Sequence, residues 1–222
     1  MKIIGGEFSG RVIHSPKGKN TRPTSSRVKE SLFNFLIHGF SVDFEGMDIL
    51  DIFAGSGSLG IEALSRGARF CNFIDIESQA ILAINNNIKS LKLETKSNVR
   101  RSDVVNIDRR VMKDQRPVDL IFSDPPYKDS FKTKIAIEDF SKKGWISQKA
   151  IIIAESSTRD EVENISGFEI SKKKNVGDTQ LCIYVSKKVD AKEFLNIILI
   201  KKIGVIYERF NAGLAIIGSY VY

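Results

Sequence analysis

At 222 residues, 42% hydrophobic and 27% charged, the chain has the length for one full α/β core and the composition of an ordinary soluble globular protein. Its 34 Lys and Arg against 27 Asp and Glu leave a net charge of +7, which points toward a polyanionic partner. Two cysteines in apolar runs, Cys71 and Cys182, exclude a disulfide framework, and two isolated histidines, His14 and His38, predict no metal site. No apolar stretch follows a charged start, so no signal peptide is expected and a cytoplasmic location is.

Residues 1–40 are expected to form a basic arm and helix. They carry seven Lys and Arg against Glu7 and Glu30, a balance of +5. Met1 to about Lys19 alternates in β fashion around Gly5-Gly6 and predicts a small hairpin or extended arm. Thr21-Arg22-Pro23-Thr24 reads as a turn, and Thr24 or Ser25 is placed to cap a helix over 26–38, whose Val28, Leu32, Phe35 and Leu36 recur at helical spacing.

From residue 41 to 187, strands and helices alternate. Strands are predicted at 48–53, 70–75, 98–101, 118–123, 150–155, 168–174 and 180–187. Helices are predicted at 58–66, 78–91 and 131–143, with weaker ones near 104–113 and 158–164. Alternation with apolar strands implies a seven-stranded, mostly parallel, doubly wound sheet with helices on both faces. The last two strands lack an intervening helix, so one is expected to return antiparallel. Residues 188–222 are apolar, but neither Phe194–Ile206 nor Gly213–Tyr222 reaches the ~20 residues of a spanning helix. This tail has no assigned role.

Two motifs carry the chemistry. The first is Asp51-Ile52-Phe53-Ala54-Gly55-Ser56-Gly57, continued by Ser58-Leu59-Gly60, between a strand and a helix. Its glycines spell G-x-G-x-x-G, which lets a ligand approach the backbone beside a helix N-terminus. Asp75 ends the next strand 20 residues past Gly55, where an acid holds a ribose diol. A nicotinamide cofactor and S-adenosylmethionine both fit that far. Asp51 would repel a pyrophosphate and suits an ammonium, which favours the methyl donor. Phe53, Ala54, Ser56 and Ile76 are expected to line the same pocket. Asp103 is placed to accept from adenine N6, with Val104 against its ring.

The second motif is Asp124-Pro125-Pro126-Tyr127 after the run Val118–Ser123. Consecutive prolines end the strand, because neither can donate to the ladder. An acid, a stiff turn with carbonyls and an aromatic then project together. The carboxylate and the Pro125 or Pro126 carbonyl can accept from an exocyclic NH2 while Tyr127 stacks on the base. Arg11, Lys17, Arg22, Thr24 and Arg27 of the arm are the candidate contacts to a polyanion's phosphates. Glu62 is expected to pair locally, and Lys172-Lys173-Lys174 to be a solvated surface.

Further strings accompany these motifs: Ile3-Ile4-Gly5-Gly6, Gly10-Arg11, Arg22-Pro23-Thr24, Arg27-Val28-Lys29-Glu30, Leu32-Phe33-Asn34 and Glu62-Ala63-Leu64-Ser65-Arg66-Gly67-Ala68. In this order, over roughly residues 1–187, they resemble the bacterial enzymes that methylate guanine N2 in 16S (small-subunit) rRNA. The resemblance implies a Rossmann-like class I S-adenosylmethionine-dependent methyltransferase that acts on RNA within a partly assembled small subunit and holds that RNA with the basic arm; a monomer is the default expectation for a chain of this kind. The chain departs from the family at Val176, where an aromatic usually precedes Gly-Asp-Thr, and in the tail beyond Lys187. Three other readings stay open at this point: an adenine-N6 DNA methyltransferase, a nicotinamide-dependent oxidoreductase, and a non-catalytic RNA-binding assembly factor.

Overall fold

The computed structural model describes residues 1–16, 26–108 and 116–187. Helix α1 spans Ser26–Gly39, followed by β1 (Asp48–Ile52), α2 (Ser58–Ser65), β2 (Phe70–Asp75), α3 (Ser78–Leu91) and β3 (Ser97–Arg101). Then come β4 (Val118–Ser123), α4 (Phe131–Lys142), β5 (Ile146–Ser157), β6 (Phe168–Val176) and β7 (Thr179–Ser186). The strands form one seven-stranded sheet in the order β3-β2-β1-β4-β5-β7-β6. Strands β1 to β5 run parallel, and β7 is antiparallel to both neighbours. The expected sheet and its single reversal are both found.

Period-two alternation sorts the strand residues onto two faces. Ile49, Phe73, Leu120 and Phe122 pack with Leu32, Phe33 and Leu36 of α1, Ile61 and Leu64 of α2, and Ile84, Ile88 and Leu91 of α3. Leu50, Ile52, Ile74 and Ile121 pack on the other side with Ala136, Ile137 and Phe140 of α4. The extended alternation carries Asp51, Asp75 and Asp124 onto the same face as α2.

The first residues form a short hairpin, with Lys2 bridged antiparallel to Val12. Ile3 and Ile13 are buried in the core shared with α1 and α2. Glu62 of α2 ties the hairpin down. Its carboxylate accepts the Ile4 and Gly5 N–H groups at 2.8 Å each and pairs with Arg66 and with Lys29, at 3.2 Å from the Lys29 Nζ. Lys29 and Glu62 both have side chains of 0% exposure, and Lys29 also donates to the Lys2 carbonyl. Burial lowers the Lys29 pKa, and the nearby Glu62 charge opposes that fall.

One expected helix is absent. Residues 158–160 form a turn and 161–164 carry no helix or strand. The stretch contains a single apolar residue, Val162, too little apolar surface to offset helix nucleation. Tertiary bonds hold it open: the Thr158 N–H donates to the Asp178 carbonyl and the Tyr184 hydroxyl to the Glu163 carbonyl. The other weak helix, near 104–113, is a single 3-10 turn at Val104–Asn106, and residues 109–115 lie outside the described residues.

Candidate active site

Strand β1 lies between β2 and β4, and the chain crosses over in opposite directions from it. At such a switch point the loops leaving the strand ends splay apart and open a crevice at the carboxyl edge. Ile52 of β1 lies beside both Ile74 of β2 and Ser123 of β4. The glycine loop, Asp75 and Asp124 therefore emerge as neighbours at one edge of the sheet. The two sequence motifs, 69 residues apart, are brought together by this register.

The loop itself is tightly specified. Gly55 and Gly57 have φ of 56° and 75°, and Phe53, which has a side chain, sits at φ 57°. A left-handed aromatic costs roughly 1–2 kcal/mol, so the fold imposes this conformation at the strand end. The Gly57 N–H donates to the Ala54 carbonyl at 2.7 Å, and Gly57 stands at the start of α2. Around Gly55 a Cβ would meet only the Phe53 carbonyl within 4 Å, leaving open space above the backbone. Gly60 has the opposite reason to be glycine: a Cβ there would collide with the Phe73 ring and the Cys71 sulfur, so it permits close packing of α2 on β2.

Two carboxylates brace the loop. Asp75 Oδ2 accepts the Gly55 N–H at 2.8 Å and Oδ1 accepts the Glu77 N–H at 2.9 Å. Asp51, 2% exposed, accepts the Gly60 N–H at 2.9 Å in the first turn of α2. Asp51 thus helps to cap the helix and borders the crevice at once. Burial pushes its carboxyl well above the ordinary value, with the charges of Asp124 and Asp75 adding to the rise. Burial also raises Asp75, against the pull of its N–H donors. Three facing acids make a negative crevice. It suits an ammonium, a sulfonium and ribose hydroxyls, and it opposes a dinucleotide pyrophosphate.

Further along the edge, Ile76 is 50% exposed beside Asp75, while Val104 is buried. Asp103 caps the 3-10 turn by accepting the Val105 N–H at 3.3 Å. Ser102 N–H donates to the Asp75 carbonyl, which draws the Asp103 turn against the end of β2. Ile76 is thus an exposed aliphatic next to these acids.

At the end of β4, Asp124 is half-buried, Pro125 buried and Pro126 exposed. The Pro126 carbonyl accepts the Asp129 N–H at 2.7 Å, closing the short 3-10 turn Tyr127–Asp129. Beneath the turn, the Ser123 and Thr133 hydroxyls meet at 2.8 Å in a buried position and join β4 to α4. A groove lined by Asp48, Pro117, Asp119, Gly144 and Ser186 lies at the opposite edge of the strands, away from all these groups.

Of the arm residues, Arg27 is exposed on α1, and Arg11 is exposed with its guanidinium donating to the Ser90 carbonyl at 3.2 Å. Lys17, Arg22 and Thr24 lie outside the described residues. The sequence reading missed Asn87. It is a fully buried polar residue whose amide bonds both the arm and the glycine loop. A signal was available: within Asn85-Asn86-Asn87, only the third shares the apolar face of Ile84, Ile88 and Leu91.

The chain is similar to several known proteins along most of its length. YlbH of Bacillus subtilis (strain 168) is 36% identical over 185 residues, covering 83% of this chain and 98% of YlbH. Ribosomal RNA small subunit methyltransferase D of Escherichia coli (strain K12) is 32% identical over 189 residues, covering 83% of this chain and 89% of that enzyme. Among solved structures, yhhF from Escherichia coli superposes with a TM-score of 0.69 at 27% identity, covering 84% of this chain and 97% of that one. The fold is that of the class I S-adenosylmethionine-dependent methyltransferases. Residues 1–185 match the family model described as Conserved hypothetical protein 95, and the chain belongs to that family.

Proposed function

We propose that this protein transfers a methyl group from S-adenosylmethionine to the exocyclic N2 amine of a guanine in 16S rRNA. The observation that carries the reading is the register of β1 with β4, which sets an amine-gripping turn beside a loop and acid set suited to the methyl donor. The relatives named Ribosomal RNA small subunit methyltransferase D, from Escherichia coli and from Buchnera aphidicola, supply the substrate class.

S-adenosylmethionine supplies an electrophilic methyl on a sulfonium. The chain's own residues supply placement. Asp51 and the Gly55–Gly57 loop would hold the amino-acid end, Asp75 would accept from the ribose hydroxyls, and Ile76 and Asp103 would receive the adenine, whereas Val104, 2% exposed, belongs to the core. Guanine N2 is a weak nucleophile, because its lone pair is delocalised into the ring. Asp124 accepts one N2–H bond and the Pro125 carbonyl the other; the Pro126 carbonyl already serves the Asp129 N–H. Those bonds aim the nitrogen lone pair at the methyl carbon and stabilise the positive charge that grows on nitrogen. That nitrogen would receive the methyl from the bound cofactor, which leaves as the thioether, and would give up one proton. Tyr127 provides the aromatic ring on which an unstacked base rests. The basic arm, with Arg11, Lys17, Arg22, Thr24 and Arg27, holds RNA phosphate.

The test is methyl transfer from isotope-labelled S-adenosylmethionine to undermethylated small ribosomal subunits, followed by nucleoside mass spectrometry. Labelled N2-methylguanosine, lost in Asp124→Ala, is expected. Label in another nucleoside overturns the guanine assignment, and no label with intact cofactor binding overturns the reaction.

A further inference from the structure

We propose that Asn87 is a positioning residue that couples cofactor binding to RNA binding by the arm. Its side chain is completely buried in α3. The amide oxygen accepts the His14 N–H at 2.8 Å, and the amide nitrogen donates to the His14 carbonyl at 2.9 Å and to the Ser56 carbonyl at 3.0 Å. Both N–H donors and the carbonyl of the amide are therefore used.

The exchange with His14 reproduces the two-point pairing of a β-ladder, made by a side chain instead of a strand. It fixes the arm two residues before Pro16, where the described part of the arm ends. The third bond fixes the peptide between Gly55 and Gly57, both of which are left-handed. A peptide flanked by two such glycines has freedom to rotate, and the Asn87 amide restrains it. The arm and the cofactor loop thus share one buried carboxamide. Elsewhere the hairpin attaches to the far half of α2, through Glu62 and through Ser65, which accepts the Phe8 N–H. Those attachments hold the arm without touching the loop. Arg11 draws the arm to the same stretch of α3, and Ser90 in turn donates to the Asn87 carbonyl.

A ligand that bears on the Ser56 peptide and RNA that bears on the arm at His14 both act on the orientation of this one amide. Linkage makes the effect reciprocal: each ligand raises the affinity of the other by the same factor. The proposal rests on the assignment of the arm to RNA given above.

The experiment is calorimetric titration of S-adenosylhomocysteine into the full chain, with and without a small-subunit rRNA transcript. It compares the wild type with Asn87→Ala, His14→Pro and Ser9→Ala. His14→Pro deletes the backbone N–H that Asn87 accepts and leaves every residue of the loop unchanged. Ser9→Ala removes a hydrogen bond to the Ile4 carbonyl inside the hairpin and serves as the control for a loosened arm. In the wild type the transcript is expected to tighten S-adenosylhomocysteine binding by about 5-fold or more, and S-adenosylhomocysteine to tighten transcript binding equally. Asn87→Ala and His14→Pro are expected to bring that factor close to one, with Ser9→Ala unchanged.

A wild-type factor of one, or a factor retained in both variants, overturns the coupling. If Asn87→Ala melts before the assay temperature, His14→Pro decides alone. Failure of the arm assignment is separate: in that case the double variant Arg22→Glu, Arg27→Glu binds the transcript as tightly as the wild type. The link from arm to loop still shows without RNA, as weaker S-adenosylhomocysteine binding in His14→Pro than in Ser9→Ala.

Discussion

Asp51 reaches from the end of β1 to the Gly60 N–H, so the acid proposed to hold the cofactor's ammonium also anchors the first turn of α2. The two duties have different charge requirements. A helix N–H is satisfied by any carboxyl or carboxamide oxygen, whereas an ammonium needs the carboxylate. Asp51→Asn keeps the acceptor and removes the buried charge. Its melting temperature at neutral pH is expected to rise by roughly 2–4 °C, the scale of about 1 kcal/mol in a domain of this size. Its affinity for S-adenosylmethionine is expected to fall about tenfold or more, in keeping with the ~1.5–3 kcal/mol of a hydrogen bond to a charged group. Thermal melts and calorimetry measure the two effects side by side.

The raised carboxyls at Asp51 and Asp75 make binding pH-dependent with a definite sign. Their folded pKa values exceed the ordinary 3.8, so the free folded state holds protons that the unfolded chain has lost. The stability this contributes is complete below 3.8 and is lost as pH rises through the raised values. Cofactor binding prefers the ionised acids, so affinity should climb with pH across the same window and protons should be released on binding. Titrations at a series of pH values above the ordinary carboxyl range, in buffers of different ionisation enthalpy, count those protons. Proton uptake, or a release unchanged in Asp51→Asn, contradicts the assignment.

Asp124 is the residue whose loss should stop chemistry and spare cofactor binding. Asp124→Ala is expected to lower kcat by about 10²-fold or more, the scale seen when one transition-state hydrogen-bond partner is removed. S-adenosylhomocysteine affinity should stay within a few-fold of the wild type. Single-turnover methyl transfer beside a binding titration separates the two quantities.

Lys29 and Glu62 form a pair with no exposed side-chain surface, and the partners are not equivalent. Glu62→Gln leaves the buried Lys29 ammonium without its counter-charge and should cost roughly 3–5 kcal/mol. Lys29→Met leaves Glu62 with Arg66 and two backbone N–H donors, so a smaller loss is expected. Urea denaturation of the two variants ranks them; the opposite order would show that the Arg66 contact does not compensate Glu62.

Gly60 offers a packing test of the loop. A methyl group there meets the Phe73 ring and the Cys71 sulfur, neither of which is the free end of a flexible chain. Gly60→Ala should destabilise by about 1–3 kcal/mol and displace the start of α2 from β2. A lower urea midpoint with an unchanged slope, together with weaker cofactor binding, is the expected signature.

The strands were legible because their residues are apolar runs bounded by turn formers, and β1, β2 and β4 differ from the predicted spans by at most one residue. The glycine loop and Asp124 were legible as motifs, since each joins a strand end to a residue type with few purely structural uses. The segment 158–164 misled because Thr158 and the acids after it imitate a helix start, while its conformation is set by Asp178 of the β6–β7 turn and Tyr184 of β7. Asn87 was hidden for a related reason. Its partners, His14 and Ser56, are 73 and 31 residues away and contribute backbone atoms, which leave no trace in side-chain identity. The lysines of β6 are solvent-facing as expected, with Lys172 and Lys173 exposed, and Lys172 and Lys174 each also bring Nζ to 5.1 Å from the centre of the Phe35 ring on α1. A cation above an aromatic face is worth roughly 0.5–1 kcal/mol at an exposed site.

The reversal of β7 decides from which rim the chain leaves the sheet. Because β7 runs against its neighbours, Thr179 lies beside Ser157 at the edge of the glycine loop and Val185 beside Ile151 toward the other. Ser186 lines the groove at that far rim, so the backbone departs the sheet on the side away from the acids and the glycine loop. A parallel last strand would instead deliver the chain to the rim where those groups stand.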